Sequence, residues 1–318
     1  MLSRVADSIY WMSRYVERAE NLARFIDVTH NVCLDMPLGS DQQWGALVSA
    51  SGDNELFEKL YGEQTRRNVV HFLCCEAENP NSIFSCVRAA RENARSIREV
   101  IASEMWEEIN QFYIYVRDAK RHLDASPDEF FQQVKMFSHL FIGITTATFS
   151  QGEAWHFARL GRVLERADKT SRILDMKYFI LLPSINDVGT PIDDLQWSAV
   201  LRSVSGFEMY RKRHHGITPR RVVGFLVLDR NFPRAIMHCL EVANSSLHAI
   251  SGSPEGTFWN QAEKRLGQVR GELAYLTVDE IVQNGLHEFL DSFQNRLNGI
   301  GDAIFETFIN KEPSAATA

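Results

Sequence analysis

Apolar side chains recur at the period of an α-helix along almost the whole chain. Near the start they fall at steps of three and four residues, at Val5, Ile9, Met12, Val16, Ala19, Ala23 and Ile26. This spacing places one apolar stripe on a helix face, whereas a half-buried strand alternates every second residue. The same period continues through 82–102, 128–149, 153–181, 233–250 and 258–309. No stretch long enough to form a strand alternates between apolar and polar residues. The chain is therefore predicted to be all-α.

The chain also contains an internal repeat. The run Arg14-Tyr15-Val16-Glu17-Arg18-Ala19-Glu20 returns 148 residues later as Arg162-Val163-Leu164-Glu165-Arg166-Ala167-Asp168. A second series, at an offset of 153, pairs Trp44 with Trp197, Pro80 with Pro233, Cys86 with Cys239 and Trp106 with Trp259. Similar segments at a fixed offset are typical of duplicated units that bury matching faces against each other.

The repeat leads to a specific architecture. We predict one helical domain over 1–310, a bundle of two duplicated units, 1–125 and 150–270, about a pseudo-two-fold axis. Residues 271–310 would form a C-terminal helical extension, and 311–318 a disordered tail.

Charge and composition narrow the possible partners and location. The net charge of −7 argues against a nucleic-acid binder, which needs a basic face. No stretch approaches the eighteen apolar residues of a membrane span, and the start lacks the apolar core of a signal peptide. The five cysteines are odd in number, and their spacing is not that of a disulfide-bonded framework. Unpaired cysteines of this kind are typical of proteins in a reducing compartment. We expect a cytoplasmic protein.

The repeated Glu-Arg pairs, Glu17-Arg18 and Glu165-Arg166, are the first candidate site. On the first helix Glu17 and Arg18 share a polar face opposite the apolar stripe. Three interpretations stay open: a solvated face, a buried structural network, or a functional site. Because exposed charges have little reason to match in two diverged copies, the matching favours burial, where losing one partner costs about 3–5 kcal/mol.

Two further candidates lie elsewhere in the chain. Arg91 and Arg95 belong to a stripe with Arg88 and Arg98, and arginine forks suit carboxylate or phosphate recognition. The alternative is an exposed helix face. Asp229 and Arg230 form a polar break between two apolar helices, where helix capping is the simpler explanation.

Motifs for known chemistries are missing from the sequence. It contains no GxSxG elbow, no phosphate-binding Walker loop and no HExxH. A dimetal carboxylate site in a bundle uses two Glu-x-x-His motifs, and only Glu153-Ala154-Trp155-His156 fits. We therefore predict no metal and no cofactor, and the question of whether the chain is an enzyme stays open.

Several of these segments resemble one known family. The opening Met1-Leu2-Ser3-Arg4-Val5-Ala6-Asp7-Ser8-Ile9-Tyr10-Trp11-Met12-Ser13-Arg14-Tyr15-Val16-Glu17-Arg18-Ala19-Glu20-Asn21 is similar to bacterial alpha-E proteins. So are Ala90-Arg91-Glu92-Asn93-Ala94-Arg95, Glu104-Met105-Trp106 and Leu228-Asp229-Arg230-Asn231-Phe232-Pro233-Arg234. The family is described as an α-helical domain with a Glu-Arg motif, which maps here onto Glu17-Arg18 and, through the repeat, Glu165-Arg166.

The resemblance implies a set of partners. Alpha-E proteins are encoded beside, or fused to, circularly permuted ATP-grasp proteins, and transglutaminase-like cysteine peptidases and Ntn-type hydrolases are frequent neighbours. This implies an accessory helical component of an ATP-grasp peptide ligase, binding the ligase, a peptide or an anionic intermediate. The alternative is an enzyme, a transferase or amide-forming catalyst with Glu17 or Glu165 as acid or base.

Overall fold

The computed structural model describes residues 1–35, 41–179 and 191–310, and in these ranges the chain is α-helical with no strand. The prediction of an all-α fold is confirmed. The first eight helices are α1 Ser3–Asp35, α2 Asp41–Ser51, α3 Asn54–Leu60, α4 Arg66–Cys74, α5 Ile83–Ser96, α6 Ser103–Arg117, α7 Ala119–Ala125 and α8 Pro127–Thr148. The next eight are α9 Glu153–Phe179, α10 Pro191–Ser203, α11 Phe207–Arg213, α12 Pro219–Val227, α13 Ile236–Ser251, α14 Gln261–Tyr275, α15 Val278–Gln283 and α16 Leu286–Ile304. A short π-helix, Phe305–Ile309, follows directly.

Two long helices, α1 and α9, form the centre of the bundle. They pack along each other, and each is covered by a further long helix, α5 on α1 and α13 on α9. The apolar stripe predicted on α1 is buried, with Ile9, Met12 and Ile26 inaccessible to solvent. The polar faces of α1 and α9 consequently meet inside the protein, and this placement creates the candidate site.

Helix starts are set by local capping side chains. The hydroxyl of Thr65 accepts from the backbone N–H of Asn68 at the start of α4, and Thr218 does the same for Arg221 at α12. The predicted helical segment 258–309 is interrupted, because Thr277 starts α15 with a capping box and Gly285 takes a positive φ of 90° before α16. Both features end one helix and begin another.

Helix bounds recur at the offset of the sequence repeat. Helices α3 and α4 are followed 153 residues later by α11 and α12, of equal lengths. The thiol of Cys86 lies 3.9 Å from the carbonyl oxygen of Pro80, and that of Cys239 lies 3.6 Å from the carbonyl oxygen of Pro233. On these correspondences we propose the duplication, with the predicted units 1–125 and 150–270. Superposition of the two sets of helices tests it. The predicted tail, 311–318, lies outside the described residues.

No helix of the described ranges combines the length and apolar character that crossing a lipid bilayer requires.

A glycine permits the close crossing of the central helices. A Cβ atom at Gly161, on α9, would lie 2.4 Å from the backbone oxygen of Tyr10 on α1 and 3.2 Å from Cγ of Arg14. Backbone cannot yield as a flexible side chain does, so the crossing distance depends on the absence of a side chain here. At Gly143, on the exposed side of α8, an added Cβ would meet nothing within 4 Å.

This difference gives a matched pair of substitutions. Gly161→Ala should lower the free energy of unfolding by about 1–3 kcal/mol, because it overpacks the crossing. Gly143→Ala should raise it by about 0.5–1 kcal/mol, because alanine has a higher helix propensity than glycine and the added methyl group meets no neighbouring atom. Urea unfolding of both variants measures the effects. An equal response at the two positions would contradict the close crossing.

Candidate functional site

Two crossed ion pairs join the central helices. Arg166 of α9 donates from Nε and Nη2 to the two carboxylate oxygens of Glu17 on α1, at 2.8 and 2.7 Å. Arg18 of α1 donates in the same bidentate way to Glu165 of α9, at 2.6 and 3.0 Å. Both carboxylates are fully buried. The burial that the matching pairs favoured is confirmed for both carboxylates, whereas the role of these residues in binding stays a prediction.

Each carboxylate receives additional cationic donors. Arg14 donates from Nε to Glu165 at 2.8 Å, and the ammonium of Lys169 lies 3.7 Å from the same residue. Arg234, from the turn before α13, donates to Glu17 at 3.2 Å. Every oxygen of the two glutamates therefore has at least one charged donor, an arrangement that compensates for their burial.

Arg234 also connects the crossed pairs to a third buried acid. Its guanidinium donates to Glu20 and, at 2.8 Å, to the side-chain oxygen of Asn21. Glu20 in turn accepts from Nε of Arg24 at 2.8 Å and from the hydroxyl of Ser138 on α8. We define the Glu–Arg network as these buried acids together with Asp168, the Asn, Arg and Lys side chains that donate to or pair with them, and the neighbouring Arg162. Its members are Glu17, Glu20, Glu165, Asp168, Asn21, Arg14, Arg18, Arg24, Arg162, Arg166, Lys169, Arg172 and Arg234.

The acids of the network are held in their ionised form. Burial alone would raise the pKa of Glu165, but the charges of Arg18, Arg14 and Lys169 outweigh it and hold the pKa well below the usual range. The pKa of Glu17 is likewise lowered, because Arg166 and Arg234 outweigh the effect of burial. Neither carboxylate can take up a proton near neutral pH, so neither is suited to general acid or base catalysis.

One arginine of the network has no acceptor. Nε of Arg162 is buried and forms no hydrogen bond within the described ranges, and no carboxylate there pairs with its guanidinium. Burial, together with the charge of Arg166, lowers the pKa of Arg162 to about 10. Its counterpart in the repeat, Arg14, is bound to Glu165, whereas the equivalent place at Glu17 is taken by Arg234. The network thus carries surplus positive charge.

The network opens on a cavity of about 570 Å³. Arg14, Arg18 and Trp11 contribute to its lining, and so do Asp302 and Glu306 of the C-terminal helices. The guanidinium of Arg14 lies 4.8 Å from the ring centre of Trp11, and its Nη2 has no hydrogen-bond partner within the described residues. We call this the network cavity. The π-helix beside it is a type of irregularity that often occurs at functional sites.

The other candidate residues lie outside the network. Arg91 is held between the rings of Trp106 and Tyr113, at 5.5 and 4.9 Å, and donates to Asn110 at 2.9 Å. Arg95 is 65% exposed and pairs with Glu92 at 3.2 Å. These contacts are those of a stacked and a solvated arginine on the outer face of α5.

The polar break before α13 acts mainly as a turn. Asp229 accepts from the backbone N–H groups of Asn231 and Phe232, both at 2.7 Å, and Arg230 pairs with Glu241 at 3.0 Å. The residue of this segment that donates to the buried glutamates is Arg234, which was not among the residues predicted for the site. The sequence repeat gave no signal for this contact, because the position that matches Arg234 at the 153-residue offset is Asn81; in the structure Asn81 accepts from Arg18 at 2.7 Å.

Metal ligation has no support in the geometry of the described part of the chain, where no three His, Cys, Asp or Glu side chains cluster as ligands would.

Comparison with known proteins identifies a family whose model matches most of the chain, together with longer proteins that match part of it. The model of the Alpha-E family, described as a predicted alpha-helical domain with a conserved ER motif, matches residues 1–309. An uncharacterized protein of Mycobacterium bovis is 20% identical over 79% of this chain, and the match covers 30% of that protein. Uncharacterized proteins of two Mycobacterium tuberculosis strains match with the same values. The chain thus spans less than a third of each relative. No solved structure matches.

The orphaned arginine yields a prediction with a matched control. Arg166→Met should lower the free energy of unfolding by about 3–5 kcal/mol, because Glu17 stays buried with part of its charge uncompensated. Arg162→Met should leave stability unchanged or raise it, because it replaces an unpaired cation by an apolar side chain of similar length. Urea unfolding at neutral pH measures both, and equal losses would contradict this assignment of partners.

A second prediction concerns the pH dependence of stability. The pKa values of Glu17, Glu20 and Glu165 are lower in the folded state than the usual value near 4.3. Between the folded-state and unfolded-state pKa values, the unfolded chain binds more protons than the folded protein. The stability that these ion pairs contribute is therefore fully present above about pH 4.3, and it is lost as the pH falls through the folded-state pKa values. Glu165→Gln should flatten this acid-side slope in urea unfolding at pH 3–7. An unchanged slope would contradict the ionised pairing of Glu165.

Proposed function

Because the chain belongs to the alpha-E family, we propose that it is an accessory helical component of an ATP-grasp peptide ligase or other amide-forming system. The family resemblance supplies the partner, a circularly permuted ATP-grasp protein, with a transglutaminase-like peptidase as a second candidate. The relatives support an accessory role, because in them the matching region is 30% of a longer chain. A unit that accompanies other chain segments fits assembly with a ligase.

One observation carries the choice of binding over catalysis. Both oxygens of Glu17 and of Glu165 are occupied by guanidinium donors, and both carboxylates have lowered pKa values. A general base needs a free lone pair facing the substrate and a pKa near the working pH. The rival hypothesis, an enzyme with Glu17 or Glu165 as acid or base, therefore has the weaker physical basis. The glutamates are better suited to holding arginines in place.

The network cavity is the site that we propose for the partner. Its lining carries both charge signs, because it includes Arg14 and Arg18 as well as Asp168, Asp302 and Glu306. A peptide segment presents both acceptors and donors, so it complements such walls better than a polyanion does. A volume of about 570 Å³ lies within the usual range for ligand sites. We propose that a peptide segment of the ligase docks here.

Co-purification of the tagged full chain from its native cells tests this function. We expect mass spectrometry to identify an ATP-grasp protein in near-stoichiometric amount. Asn298→Trp should remove most of it, because Asn298 lines the cavity and is exposed, whereas Asn295→Trp on the same helix lies outside the lining. Thermal melts of both variants check folding.

Other results would count against the proposal. Retention that is equal in the two variants would remove the cavity from the interface. Micromolar binding of ATP by the isolated chain, measured by calorimetry, would favour the enzyme hypothesis.

A further inference from the structure

A second, larger cavity lies apart from the Glu–Arg network. Its volume is about 670 Å³, and none of its described lining residues belongs to the network. The walls come from the later part of α1, from Tyr61 after α3, and from α4, α7 and α8. We call it the basic cavity, because of the charges at its mouth.

Three cationic side chains line the basic cavity against one acid. Arg66 and Arg67 come from the start of α4, Lys120 comes from α7, and Asp124 is the only acid among the described lining residues. None of the three cations forms an ion pair with a carboxylate in the described part of the chain. Arg66 instead donates to Nε2 of His30 at 3.2 Å. An overall acidic protein thus keeps an uncompensated positive cluster around one cavity.

Apolar side chains form a substantial part of the lining of the basic cavity. Ile26, Val70, Leu123 and Phe131 line it, together with the half-buried Cys75. Exposed cations that share a cavity lining with apolar side chains suit a ligand with an anionic head and an apolar body, because each part then meets a matching surface. A polyanion such as a nucleic acid would leave this apolar wall unused.

Two polar side chains of the cavity are fixed in orientation. The hydroxyl of Tyr61 donates to Glu76 at 2.7 Å and lies 2.6 Å from Nδ1 of His71. Because its hydrogen goes to Glu76, Tyr61 accepts from the Nδ1–H of His71. Burial raises the pKa of the Cys75 thiol to about 12, so it is protonated and no nucleophile. These features favour binding over covalent chemistry.

We propose that the basic cavity binds a small organic oxyanion, with its carboxylate or phosphate at Arg66, Arg67 and Lys120 and its apolar body against Val70, Leu123 and Phe131. This site is separate from the network cavity and does not depend on the proposed ligase partner.

Titration of the full-length chain with defined probes tests the site, with NMR chemical shifts as the readout. Phenyl phosphate and phenylacetate each combine an oxyanion with a ring and should both shift signals of α4 and α7; the tighter of the two identifies the preferred head group. Inorganic phosphate should bind about tenfold more weakly than phenyl phosphate, because it lacks the apolar body. Benzyl alcohol, which lacks the charge, should not bind measurably.

Matched variants locate the effect. The double substitution Arg67→Met and Lys120→Met should weaken binding of the tighter aryl anion about tenfold, because each cation contributes a charged contact. Arg121→Met removes a neighbouring exposed cation of α7 that does not line the cavity, and it should leave the affinity unchanged. Binding that resists the double substitution, an equal loss in Arg121→Met, or no binding of either aryl anion at millimolar concentration would overturn the proposal.

Discussion

The crossed pairing of Glu17 with Arg166 and of Glu165 with Arg18 is the interaction on which the centre of the bundle depends. A buried carboxylate costs several kcal/mol in lost hydration, and only charged donors at hydrogen-bond distance offset it. Here each long helix supplies the acid for the other's arginine, so the bidentate partner of Glu17 and that of Glu165 both lie on the opposite helix. Their register is thereby coupled, since a shift of either helix would break both bidentate contacts at once.

The apolar packing around the network sets the distance that these contacts require. Gly161 lets α9 approach the backbone of Tyr10, and at that separation the guanidinium groups reach across the interface. Apolar packing alone tolerates small slips, whereas bidentate arginine–carboxylate geometry does not. Specificity of register is therefore the contribution that we assign to the network, and the apolar core provides most of the stability. The two repeat segments differ at Arg162. Its counterpart in the first segment, Arg14, donates to Glu165, whereas the corresponding place at Glu17 is occupied by Arg234 and not by Arg162.

Much of this arrangement could be predicted from sequence, for identifiable reasons. The apolar period of α1 predicts a helix with one buried stripe, and the matching of Glu17-Arg18 with Glu165-Arg166 predicts that the opposite polar face is buried too. The contribution of Arg234 was not predicted, since a turn residue reaches the network only through the packing of α13 on α9. Both large cavities were missed for the same reason: their walls join residues far apart in sequence. The break near Gly285 was also missed, although glycine before a new apolar run is a local signal.

The acids of the Glu–Arg network are ionised, and their oxygens are all paired with donors. The network is therefore well suited to hold its arginine side chains in fixed positions. Its carboxylates keep their charge throughout the neutral pH range, so the positions of the arginines do not change with modest changes of pH. Any recognition by the network must therefore use donors that the acids leave free, and Nη2 of Arg14 in the network cavity is such a donor. The basic cavity follows the opposite principle, because its cations have no described carboxylate partner and stay available to a ligand. Internal pairing thus distinguishes the arginines of the network, whose carboxylate contacts join α1 and α9, from the cations of the basic cavity, which we propose as ligand contacts.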